Sequence, residues 1–111
     1  MAVRTKRLAA GLTGPASVGK TAYTCPSGET AIVKDVRLYA RAGAVSSVKV
    51  FALSGAGIFV ACFTGPMADQ EVRQFQGFLV LLPGDRVVVE ATTTDGIAYW
   101  VSGTELEGLA D

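Results

Sequence analysis

The sequence contains no histidine. Histidine is the commonest general base near neutral pH and the commonest metal ligand, so its absence removes most nucleophile–base and zinc chemistry. Serines and threonines are present, but none has a histidine to activate it. Cysteine is scarce too. Cys25 and Cys62 are the two in the chain, and neither sits in a Cys-x-x-Cys pair, which argues against a metal or redox site. Two buried thiols acting as small hydrophobes are the simpler reading; a single Cys25–Cys62 disulfide is the other. Charge is sparse, at 18% of residues, where a soluble domain usually carries roughly a quarter. The deficit points to surface that something covers. Acids and bases number 10 each and cancel. A neutral chain lacks the self-repulsion that keeps monomers apart, and it lacks the basic excess of a nucleic-acid binder. No apolar run approaches a membrane-spanning length. The opening Met1–Leu12 starts basic and continues Leu8-Ala9-Ala10-Gly11-Leu12, which is too short and too glycine-broken for a secretory signal. The chain is therefore expected to be made in a cytoplasm and used as it is.

What is present reads as one all-β domain. The 111 residues suffice to bury about two-thirds of the surface an unfolded chain exposes. Val, Ile, Phe, Tyr and Thr cluster in short runs separated by Gly, Pro, Asp and Ser. The runs are Thr21–Thr24, Glu29–Arg41, Val45–Leu53, Ile58–Thr64, Glu71–Leu82, Arg86–Thr92 and Ile97–Thr104. In the second, Ile32, Val36, Leu38 and Ala40 share an apolar face, with Lys34 the exception. Asp35, Arg37, Tyr39 and Arg41 lie on the other face. Ile58–Thr64 is apolar on both faces, as an interior strand would be. Pro66–Gln76 is the most helix-like stretch and has room for one turn. Seven or eight strands with turns every eight to twelve residues indicate an antiparallel β-sandwich or small barrel. Cys25-Pro26-Ser27-Gly28-Glu29 and Leu82-Pro83-Gly84-Asp85 echo each other. Each presets φ with Pro and supplies a positive φ with Gly before a strand. Two such corners suggest a jelly roll of two similar halves. Residues 1–20 are expected to be an arm and loop, 21–106 the sandwich, and 107–111 a tail.

Gly14-Pro15-Ala16-Ser17-Val18-Gly19-Lys20-Thr21 matches the phosphate-binding pattern G-x-x-x-x-G-K-[ST]. That chemistry needs a strand feeding the loop and a helix starting at Lys-Thr. Here Leu8–Thr13 is a poor core strand, and Ala22-Tyr23-Thr24-Cys25-Pro26 leaves no room for a helix. No alternating α/β units follow. The motif reads as a loop with chance spacing, and no nucleotide is expected. Most of the ten carboxylates fall at turns or on solvated strand faces, with no marked pair for acid–base work. No enzyme activity, cofactor or metal is expected. Arg4, Lys6 and Arg7 have no interleaved aromatics and read as a solvated or subunit-contacting arm rather than a nucleic-acid contact. Tyr99 and Trp100 are adjacent on a strand and point to opposite faces. Ile97, Tyr99 and Val101 form the more apolar face, so Trp100 is the ring expected to be open to a partner or ligand.

The segment Thr21–Arg37 resembles a Tyr-Thr-x-Pro-x-Gly-x-x-Ala-Ile-Val-Lys opening found in small β-sandwich virion proteins of tailed bacteriophages. Gln76–Asp85 and Ala98–Leu106 are similar to the same group. The Ala, Gly and Val content suits a phage of a GC-rich host such as an actinobacterium. The resemblance implies a virion structural protein, first a minor tail or tail-tip component and alternatively a capsid decoration protein. It implies docking to other virion proteins and to copies of itself, a trimer among the candidate states. It carries over no binding residues. The interface candidates are Arg4, Lys6, Arg7, Leu8 and Trp100. A different class remains open: a carbohydrate-binding module that stacks aromatics such as Trp100 on host-surface glycan.

Overall fold

A computed structural model describes residues 3–54, 57 and 59–107. Among the described residues the chain forms eight strands and no helix: β1 (Val3–Leu12), β2 (Lys20–Thr24), β3 (Glu29–Ala40), β4 (Val45–Leu53), β5 (Phe59–Met67), β6 (Val72–Leu81), β7 (Arg86–Ala91) and β8 (Ile97–Glu107). They build two four-stranded sheets, sheet A in the order β1-β8-β3-β6 and sheet B in the order β2-β7-β4-β5. All pairings are antiparallel. This is the jelly roll, a long hairpin rolled so that each strand pairs with its counterpart in the returning half.

The rolling explains the echo between the two corners. Strands β2 and β3 pair with β7 and β6, so the connections 25–28 and 82–85 must lie side by side. Cys25 N–H donates to Asp85 O at 2.9 Å, and Gly84 N–H donates to Cys25 O at 3.0 Å. Gly28 and Gly84 have φ of 78° and 89°, which glycine adopts without steric cost. The outer connections meet in the same way, with Asp95 N–H donating to Gly14 O at 2.8 Å.

The core is valine-rich because inward positions on pleated, facing sheets suit branched side chains. Val33, Val36, Leu38, Ile97, Tyr99 and Val101 of sheet A face Val48, Val50, Val87 and Val89 of sheet B, and all are buried. Cys25 is a buried free thiol and Cys62 a half-buried one.

Several sequence expectations change. Residues 3–12, expected as an arm, form edge strand β1, paired with β8 from Val3 opposite Leu106 to Leu12 opposite Ala98. Backbone pairing needs no large side chains, and small ones are required here. A Cβ on Gly11 would lie 2.9 Å from the Tyr99 hydroxyl. Strand β8 continues to Glu107, and 108–111 lie outside the described residues. Pro66–Gln76 holds no helical turn: β5 runs through to Met67, and a tight turn closes with Glu71 N–H donating to Ala68 O at 3.0 Å. The doubly apolar fourth run is β5, which is an edge strand, not an interior one; Ile58 lies outside the described residues. The Lys34 exception marks a β-bulge. Register slips between Val33 and Asp35 against both neighbours, so Ala31 and Val33, not Ile32, face the core before it.

Candidate functional site

The phosphate-loop look-alike is a strand connection with four of its backbone donors already committed. Gly14 N–H donates to Asp95 Oδ1 at 3.0 Å and Ala16 N–H to Thr94 Oγ1 at 3.2 Å. Ser17 N–H donates to Ala91 O and Val18 N–H to Pro15 O. An acidic side chain thus sits where a phosphate would need an amide. Lys20 opens strand β2, and its ammonium donates to Leu12 O at 2.8 Å. Gly19 answers to packing, since a Cβ there would press on the Val88 side chain at 3.2 Å.

Three carboxylates are spent on turns in the same manner. Asp69, Asp85 and Glu71 each accept a backbone N–H, from Gly43, Leu82 and Ala68. The Ala68 amide, with the Arg73 guanidinium, holds Glu71 below the usual carboxylate range.

The interface candidates separate into three environments. Lys6 pairs with Glu105 at 2.9 Å. Glu105 is only 4% exposed, and its other oxygen accepts from the Tyr23 hydroxyl at 2.6 Å. This chain of contacts ties β1 and β8 of sheet A to β2 of sheet B, so Lys6 serves the sandwich itself. Leu8 lies at the bulge in β1 and packs against the core. Arg4 lies on β1 opposite Glu105, and its side chain is outside the described residues. Arg7 and Trp100 come together on the outer face of sheet A, the guanidinium 5.0 Å from the ring centroid. That distance is within cation–π range. Trp100 is 47% exposed, while Tyr99 is buried.

Register places three rows across that face. Leu12, Ala98, Tyr39 and Val72 form one; Ala10, Trp100, Arg37 and Gln74 the next; Arg7, Ser102, Asp35 and Gln76 the third. The sequence already set Asp35, Arg37 and Tyr39 on one face. What it lacked was the strand order that brings them beside Trp100.

A second surface went unnoticed in the sequence. Edge strands β5 and β6 flank the same side of the sandwich, where the Arg73 guanidinium lies 5.3 Å from the Phe63 ring centroid. Phe78 is 71% exposed, and Val60, Val80 and Leu82 are exposed as well. Strand β5 has no charged residue, and β6 has only Arg73. Strands β1 and β2, on the other side, carry Arg4, Lys6, Arg7 and Lys20. Edge strands normally carry charge or proline to block pairing with another chain, and β6 carries little of either.

No protein-family profile matches the chain, and no curated protein matches it. Its fold is similar to that of a protein from the disulfide-linked pili formed by Bacillus endospore appendages, with a TM-score of 0.61 and 13% identity over 95% of this chain and 88% of that one. It is also similar to part of a chain from the T13 particle of infectious bursal disease virus, with a TM-score of 0.53 and 12% identity over 98% of this chain. There it spans 32% of the other chain. At these identities the likeness is one of fold: an eight-stranded antiparallel sandwich.

Proposed function

We propose that the chain is a structural subunit that works by docking to copies of itself and to other components of an assembled particle. The observation that carries this reading is the apolar, nearly uncharged side formed by β5 and β6, with Phe78 its most exposed ring. Large apolar side chains left exposed along edge strands point to an interaction site. Burial of apolar area there supplies affinity at about 25 cal/mol per Å² before the costs of association. Two observations support the reading: the sparse, balanced charge, and a fold shared with proteins of a pilus and of a viral particle. The resemblance of the Thr21–Arg37 and Gln76–Asp85 segments extends the proposal to a virion protein of a tailed phage, first as a minor tail component.

Sedimentation tests the docking surface. The wild-type chain is expected above monomer mass, and Phe78→Glu is expected to return it to monomer with an unchanged circular-dichroism spectrum. A wild-type chain that stays monomeric up to its solubility limit would sink the proposal. Antibody labelling of purified particles tests the placement. Label on tails supports the tail reading, label on heads replaces it with a capsid decoration role, and no label on particles removes the virion reading.

A further inference from the structure

The outer face of sheet A carries a feature the docking edge lacks: rings and hydrogen-bonding groups set around one small residue. Ala98 has Trp100 two residues along β8 and Tyr39 directly across on β3. Val72 stands opposite Tyr39 on β6, and Arg37 stands opposite Trp100. Together they line a shallow slot of about 260 Å³. Trp100 is 47% and Tyr39 40% exposed.

The polar rim is ordered by its own contacts. Arg37 Nε donates to Asp35 Oδ2 at 3.0 Å, and Gln74 Nε2 donates to Asp35 Oδ1 at 3.0 Å. Asp35 thus holds both neighbours in place. Arg37 lines the slot, and Gln74 stands opposite it on β6, outside the lining. Arg7 braces the Trp100 ring from the β1 side.

We propose that this slot binds a saccharide ring. A pyranose has an apolar C–H face, which suits the rings of Trp100 and Tyr39. It also carries hydroxyls around its rim, which suit the guanidinium donors of Arg37 on the slot wall. A purely apolar side chain from a partner protein would fill the slot but leave those groups desolvated and unpaired, which is costly. A saccharide satisfies both halves of the site, and pockets with apolar walls and a few placed polar groups are the usual form of small-ligand sites.

Trp100 is the single tryptophan of the chain, so its fluorescence reports directly on the slot. The test pairs a glycan array with fluorescence titration of the purified chain by glucose, galactose, mannose and N-acetylglucosamine and their oligomers. At least one saccharide class is expected to bind and to shift the emission saturably. On the array, Trp100→Ala and Tyr39→Ala are each expected to weaken that binding about tenfold or more. Ala98→Leu, which fills the slot without removing a contact group, is expected to abolish it with the circular-dichroism spectrum unchanged. The docking variant Phe78→Glu is expected to bind the sugar as wild type does, so failure of one proposal does not imply failure of the other. Binding to no glycan, or unchanged binding by the Ala98→Leu variant, would overturn the inference. So would a Trp100→Ala variant that loses self-association while keeping the sugar, which would make this face a protein contact.

Discussion

Glu105 shows how much one residue can be asked to do. It is buried between the sheets with Tyr23 on one oxygen and Lys6 on the other. Tyr23→Phe removes a donor from a buried carboxylate and is expected to destabilise the fold by about 1–3 kcal/mol, read as a shift in urea midpoint. An unchanged midpoint would mean the tie is structurally idle. The same residues set an alkaline limit. Burial first, then the hydrogen bond to Glu105, pushes the Tyr23 phenol well above its ordinary value. Burial also pushes the Cys25 thiol up. Both groups keep their protons in the fold while the unfolded chain loses them at ordinary values. The contribution of these two groups is therefore expected to be constant below about pH 8.5 and to fall as pH rises beyond it. Denaturation midpoints across that range check the sign. The Ile97–Thr104 run stops one residue short of Glu105, so the burial of Glu105 was not legible from that run. In the fold Glu105 continues the inward phase Ile97, Tyr99, Val101, Gly103 along β8. The partner was not legible either, because Tyr23 lies 82 residues away on the opposite sheet.

At the scale of the strand, the bulge in β3 decides which residues reach the core. One unpaired residue, Lys34, reverses the alternation, so Val33 and Val36 both face inward while Lys34 points to solvent. A lysine breaking an otherwise regular apolar phase was the mark of this in the sequence. Its meaning depends on Gly103, the residue opposite Val33 on β8. A Cβ on Gly103 would run into the Ile32 carbonyl oxygen. Gly103→Ala is expected to cost about 3 kcal/mol or more, since backbone on both strands must move. A loss below about 1 kcal/mol by chemical denaturation would show that the bulge relaxes freely. Strand β1 was hidden for the opposite reason. Its Ala and Gly residues give no periodic signal, and its place is fixed by hydrogen bonds to β8 and by the ring of Tyr99 against Gly11.

Across the whole molecule, the two sides of the sandwich differ in character. The β1–β2 side is basic, while the β5–β6 side is apolar and nearly uncharged. Association through β5–β6 is expected to withstand sodium chloride and to strengthen in sulfate, because apolar burial is not screened and excluded salts favour it. Dissociation at moderate salt, followed by sedimentation, would instead assign the contact to the basic side. Strand composition and corner chemistry conveyed the sandwich, but edge identity follows from the pairing order, which no local pattern encodes. That order also has a mechanical side. Val3 meets Leu106 at one end of the β1–β8 ladder, so tension applied there would peel the strands apart one hydrogen bond at a time, at low force. A module with such a seam is suited to bearing load laterally, through its faces and edges, and unsuited to acting as a link pulled from end to end.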